Sequence, residues 1–196
     1  MGASGGHIGL ADQFETFYPH PERVIGGGLS VTDVADYARS FPQVRAVVFD
    51  GCALPFPDRS FDVVCSNAVL EHLPGWEAQQ RLAAEVRRVG RAWFVTTPNF
   101  WFPIEVHYRL PFVQFLPHRW QQRLVGLLGK TPYPELHLLS ARKLRQLFPE
   151  SRIIGCRVTF YAETLVAVGK SDGEPAASDY SGRNSKVSTT FRSTAC

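Results

Sequence analysis

Short apolar runs closed by turn residues alternate along this chain with stretches whose apolar positions recur every three or four residues. Ala46 to Phe49 closes at Asp50, Phe61 to Cys65 at Ser66 and Asn67, and Ala92 to Thr97 at Pro98 and Asn99. Runs of this kind, separated by helical periodicity, read as buried strands of a parallel sheet. Helical spacing covers Val31 to Arg39, with Val34, Tyr37 and Ala38 inward and Ser30 as N-cap. It returns over Trp76 to Val89, where Leu82, Ala83, Val86 and Val89 share one face, Glu and Arg take the other, and Gly90 ends the helix. A short helix is expected over Leu10 to Tyr18, ended by Pro19 and Pro21, and a strand over Arg23 to Gly26. Ser140 opens a helix that turns Leu144, Leu147 and Phe148 inward. The last two strands, Arg152 to Tyr161 and Thr164 to Gly169, are joined by too short a turn to be parallel. The pattern predicts an α/β fold whose mostly parallel sheet ends in an antiparallel hairpin.

Two segments depart from it. Phe100 to Tyr133 is rich in aromatics and prolines, and its second half, with Trp120, Leu124, Leu127 and Leu128, is helical in period. It reads as a cover over a pocket. Membrane contact through residues 100–130 is the rival reading, since Arg109, Arg119 and Arg123 beside aromatics suit an interface, but it is the less favoured one. Charge and proline interrupt the segment too often for it to span a bilayer. Beyond Lys170 the composition turns to Ser, Thr, Gly and nearly balanced charge, which predicts disorder over 171–196 and no nucleic-acid arm. Residues 1–170, with the insert at 100–135, then form one domain.

Composition adds limits. With 196 residues, 44% hydrophobic and 20% charged, the chain can bury one ordinary core. A net charge of +3 spread along the chain gives little support for a nucleic-acid groove. Cys52, Cys65, Cys156 and Cys196 stand far apart, without a CxxC pair or a His at zinc spacing, so buried thiols in a reducing cytoplasm and no metal are expected. Met1 is followed by glycines, not by a basic and then apolar leader.

Ligands of parallel sheets bind at the carboxyl ends of the strands, which places Asp50 and Asn67 where chemistry is expected. The stretch from Asp50 to Leu73, DGCALPFPDRSFDVVCSNAVLEHL, has an acidic residue, then LPFPD, SFD and EH in order. It closely resembles the signature of class I S-adenosylmethionine-dependent methyltransferases of the type 11, UbiE-like family, and a weaker resemblance runs from Gly2 to about Lys170. The resemblance implies a Rossmann-like sheet and S-adenosylmethionine as cofactor. It implies that Gly2, Ser4 and Gly5 line the methionine end, that Asp50 meets the adenine amino group beside the backbone of Gly51 and Cys52, that Leu54 and Phe56 wall the adenine, and that Asn67 lies near the methionine moiety. His72, following Glu71, is the candidate base for an oxygen nucleophile. The acceptor implied is a small molecule, methylated in line at oxygen or carbon. His107, Tyr108, His118 and His137 lie in or beside the insert and can face it.

Two departures from the family pattern bear on function. The strand that precedes the Gly-rich loop in the family, the first central strand, has no counterpart ahead of GASGGHIG, which suggests an N-terminal truncation. Where the family has a ribose-binding carboxylate, VIGGGLS has Gly28. These favour a second reading, a methyltransferase-fold binding module without productive cofactor binding. A third, a nicotinamide-dependent short-chain reductase, is suggested by GASGGHIG but lacks a Tyr followed four residues later by Lys.

Overall fold

The computed structural model describes Glu15 and residues 17–130, 136–157 and 160–171. The Gly-rich start, most of the expected 10–18 helix and the tail after Ser171 lie outside the described residues.

The first strand, β1, occupies Ile25–Gly28, not Arg23 to Gly26, because Pro21–Arg23 forms a single 3-10 turn ahead of it. Three glycines make an unusual strand, and close packing explains two of them. A Cβ on Gly26 would lie 2.3 Å from Tyr37 Oη, and one on Gly27 only 1.8 Å from the carbonyl oxygen of Val47. Helix α1, Val31–Ser40, starts where Ser30 Oγ accepts the Asp33 amide, and Tyr37 on its inner face covers β1. Strand β2, Arg45–Val48, pairs parallel with β1.

A second sheet follows. Strand β3, Phe61–Asn67, is followed by a 3-10 turn at Leu70–His72, by helix α2, Trp76–Val89, and by strand β4, Gly90–Pro98, parallel to β3. The insert supplies a two-residue ribbon, β5 at Ile104–Glu105 and β6 at Leu110–Pro111, then helix α3, His118–Leu127. Helix α4, Ala141–Leu147, is capped by Ser140, and strands β7, Arg152–Arg157, and β8, Ala162–Lys170, form the antiparallel hairpin. The order in this sheet is β3-β4-β8-β7. β7 ends short of the expected Tyr161, and Cys156 on it is exposed, against the expectation of a buried thiol.

Leu82, Val86 and Val89 of α2 meet Val64 of β3, Trp93 and Val95 of β4, and Leu144 and Phe148 beside them in one core. Trp93 meets its polar obligation by donating from Nε1 to Ser151 Oγ at 2.7 Å. The result is a Rossmann-like arrangement in two parts. Among the described residues β1 and β3 are both outer strands, and both face a cavity of about 500 Å³ that Phe49, Leu54 and Phe56 also line.

Gly27→Ala should destabilise the chain by about 1–3 kcal/mol or more, as expected for an added methyl that meets backbone. A urea melt checks this. The midpoint should fall at constant slope, and an unchanged midpoint would mean that β1 yields freely to the methyl.

Candidate functional site

The loop after β2 is a chain of local hydrogen bonds. Asp50 Oδ1 accepts the Cys52 amide at 2.8 Å and the Asp50 carbonyl accepts the Ala53 amide at 3.0 Å, an Asx turn that leaves the Asp50 side chain exposed at the strand's carboxyl end. Gly51 lies over α2, where a Cβ would come 3.1 Å from Leu82 Cδ1. Cys52 donates from Sγ to the Ala78 carbonyl at 3.4 Å, and burial, followed by the neighbouring Asp50, pushes its thiol pKa up.

Beyond Cys52 the loop is held by two side chains of α2. Arg88 donates to the carbonyls of Leu54 (3.0 Å) and Phe56 (2.8 Å) and to Asp58 Oδ1 (2.8 Å), and its Nε and Nη2 also bond both oxygens of Glu85. Glu85 Oε2 in turn accepts the Leu54 amide at 2.7 Å. The Arg88 carbonyl accepts the amide of Arg59, whose backbone is left-handed at φ 52°. This clamp is the physical reason for LPFPD: prolines keep the loop extended while its carbonyls turn to one guanidinium. Leu54 is buried in the core, and with Phe49 and Phe56 it lines the cavity between β1 and β3.

Asn67 ends β3 with its Oδ1 accepting the Thr96 hydroxyl, which leaves the side-chain Nδ2 and the backbone as its groups for a ligand. Ala68 then takes a left-handed φ of 50° and the chain turns down to Glu71 and His72. Glu71 is 0% exposed. Its Oε2 accepts the Thr97 hydroxyl at 3.0 Å and its carbonyl accepts the His137 amide at 2.8 Å. Its Oε1 stands 4.0 Å from His72 Nε2 with no hydrogen-bond partner. Burial pushes the Glu71 carboxyl up and, with a smaller contribution from His107, the His72 imidazole down.

The insert closes onto this turn. His107 sets its ring edge-on to that of His72, centroids 5.1 Å apart, and its Nδ1 lies 2.6 Å from Glu105 Oε1. Glu105 is itself buried and its Oε2 accepts the Tyr108 amide at 2.7 Å. Burial alone would push this carboxyl up, but the bonds from His107 and Tyr108 outweigh it and hold the group below its ordinary value. Of the side chains expected to face a substrate, His107 is brought to the site, whereas His118 faces Gln122 on the exposed surface of α3. Glu105 was not singled out by sequence reasoning; the only signal was a carboxylate two residues from His107.

Next to this cluster lies a second cavity, about 420 Å³, between the start of α2, the insert and residues 136–138. Trp76, Phe100 and Leu136 give it apolar wall, and Gln79, Glu105, Gln114, Gln121 and Lys143 polar wall. Gln79 donates to the carbonyls of Leu70 and His137, tying the Glu71 turn to the cavity rim. Gln114 donates to the Phe102 carbonyl at 2.6 Å, while its Oε1 is buried without a partner. The insert's outer side is a stack of exposed aromatics, Trp101, Phe112 and Phe115 among them. No helix among the described residues is long and apolar enough to cross a membrane. Gly2, Ser4 and Gly5 lie outside the described residues.

Comparison with known proteins agrees with the fold. Residues 7–92 match the family model of the type 11 methyltransferase domain. No curated protein matches the chain by sequence. Among solved structures, the PH0226 protein of Pyrococcus horikoshii OT3 superposes with a TM-score of 0.54 at 16% identity, over 83% of this chain and 76% of that one. A geranyl diphosphate methyltransferase solved with S-adenosylmethionine superposes with a TM-score of 0.51 at 12% identity, over 85% of this chain and 75% of that one.

Glu85→Gln tests the clamp. The bonds from Arg88 hold the Glu85 carboxyl below its ordinary value, so the folded pKa is depressed relative to the unfolded one. Its stabilisation is therefore complete above the unfolded pKa and lost as pH falls through the folded pKa. The variant should lose about 1.5–3 kcal/mol at neutral pH, the range for hydrogen bonds to charged groups, and the difference from the parent should narrow in acid. A gap that stays constant with pH would contradict the assignment.

Proposed function

We propose that the chain, whose residues 7–92 match the model of the type 11 methyltransferase domain, transfers the methyl group of S-adenosylmethionine to an oxygen or carbon of a small molecule held beneath the insert. The observation that carries the reading is the 420 Å³ cavity lined by the insert's Phe100, Glu105, Gln114 and Gln121, whose rim Gln79 ties to the turn that carries Glu71 and His72. Glu105, Gln121 and Lys143 beside Trp76 and Phe100 suit a ligand that has both apolar surface and hydrogen-bonding groups.

The donor set fits the cofactor at its adenine end. Asp50 keeps an exposed carboxylate at the carboxyl end of β2 while its own Asx turn presents the backbone of Gly51 and Cys52. Asn67 offers backbone at the end of β3, with Gly2, Ser4 and Gly5 assigned to the methionine end. Leu54, being buried in the core, supports the pocket floor more than its wall. The ribose end is weaker, because Gly28 brings no carboxylate. Bound there, the cofactor supplies an activated methyl group, and the protein supplies position and the exclusion of water. His72 is the residue assigned to take the acceptor's proton, and removing such a base costs about 10²- to 10⁴-fold in rate.

Calorimetric titration with S-adenosylmethionine tests the proposal. The chain should bind it, Asp50→Ala should bind about 10-fold or more weakly, and Gly28→Asp should bind about 10-fold or more tightly, the gain expected of charged hydrogen bonds to the ribose. Gly28 is not among the described glycines with positive φ, so its backbone accepts the substitution. Absence of binding in both the parent and Gly28→Asp would favour the second reading, a methyltransferase fold kept as a binding module.

A further inference from the structure

We propose that Glu71, His72 and His107 form a binding site for a divalent first-row metal ion of the zinc class. Each of the three offers one ligand atom, and these atoms lie within 4.8 Å of one another. Two imidazoles and one carboxylate are a donor set that zinc and iron(II) accept, and it leaves coordination positions open for a further ligand. No sequence spacing announces the site, because Glu71 and His72 come from the turn after β3 and His107 from the loop between β5 and β6.

The independent sign of a cation is the state of Glu71. The residue is fully buried, and its Oε1, 4.0 Å from His72 Nε2, accepts no hydrogen bond. Its other oxygen is engaged by Thr97, so the carboxylate is fixed in place with one atom directed at the two histidines. An unpaired buried carboxylate oxygen is costly, and a metal ion supplies what it lacks.

The surrounding residues have the arrangement that metal-binding histidines use. Glu105 Oε1 lies 2.6 Å from His107 Nδ1, and Glu105 is fixed by the Tyr108 amide. A carboxylate on one ring nitrogen sets the tautomer and orients the other toward a metal. His107 therefore binds through Nε2. Donors around zinc stand about 3.4 Å apart, from zinc–nitrogen distances near 2.1 Å, so the cluster must contract on binding. His72, 42% exposed, is the ligand able to swing inward.

A metal here pins the insert to the turn after β3. Of the four residues named, Glu105 lines the 420 Å³ cavity and the three ligands do not, so the metal holds the wall of that cavity from behind. His72, once a metal ligand, no longer has a free ring nitrogen for the base role proposed above.

The test uses the full chain treated with chelator and titrated with cobalt(II), whose visible absorption reports coordination, with zinc(II) as competitor. One equivalent of cobalt should bind and be displaced by zinc. His72→Asn and His107→Asn should each weaken binding about 100-fold, and Glu105→Gln about 10- to 100-fold, the range for outer partners of metal-bound histidine. His118→Asn should change nothing. Glu71→Gln should also lose binding; should it fail to fold, His72→Asn decides, because that side chain is partly exposed and circular dichroism can verify its fold. Absence of the cobalt signal in folded protein, or a signal unchanged in both His72→Asn and His107→Asn, overturns the proposal and leaves the cluster a network of hydrogen bonds. Calorimetry with S-adenosylmethionine on the same chelator-treated protein reports separately on the cofactor reading.

Discussion

One guanidinium organises the loop between β2 and β3. Arg88 spends its donors on Leu54, Phe56, Asp58 and Glu85, and Glu85 holds the Leu54 amide. A loop with two prolines cannot supply a full ladder of its own, since proline has no N–H to give. The helix supplies the partners, and through them fixes how the chain leaves Asp50 and enters β3. The distance is covered by rigid fittings: an Asx turn at Asp50, the clamp at Leu54 to Asp58, and a left-handed Arg59 bonded to the Arg88 carbonyl. With them in place, the two strand ends proposed to face the cofactor are set by α2, whose other face is core.

Where the insert meets the turn after β3, carboxylates take that part. Glu71 and Glu105 are buried from opposite directions, one in the turn after β3 and one in the insert, and their histidines meet edge to edge. Gln79 ties the Glu71 turn to residue 137, and Gln114 ties the insert to itself through Phe102. The insert meets the rest of the domain through the ring contact of His107 with His72 and the bond from the Phe100 amide to the Leu139 carbonyl, while many of its aromatics remain exposed on the outer side. This fits a cover over a cavity better than a segment that buries itself in the domain.

Much of this was legible in the sequence, for identifiable reasons. Strands β3 and β4 and helix α2 carry strong periodicity, and the structure has them within a residue or two of expectation. The strand β1 was displaced because its glycines weaken any strand signal; Gly26 and Gly27 are required by Tyr37 and Val47, contacts invisible before folding. Arg88 and Glu85 looked like wet-face charges, and they contact residues more than thirty positions away. The Glu105–His107 pair lay in a segment without periodicity. Leu54, expected to wall the adenine, packs in the core and also lines the cavity between β1 and β3, a double placement that a residue in a tight loop after a strand does not announce in the sequence.

The central claim is that the carboxyl ends of β2 and β3 form a cofactor site. Backbone amide NMR shifts on adding S-adenosylhomocysteine test it most directly. The account predicts perturbation concentrated at Asp50 to Ala53 and Asn67 to Ala68, with little change in the β7–β8 hairpin. Shifts confined to the cavity between β1 and β3, or no shifts at saturating ligand, would contradict it.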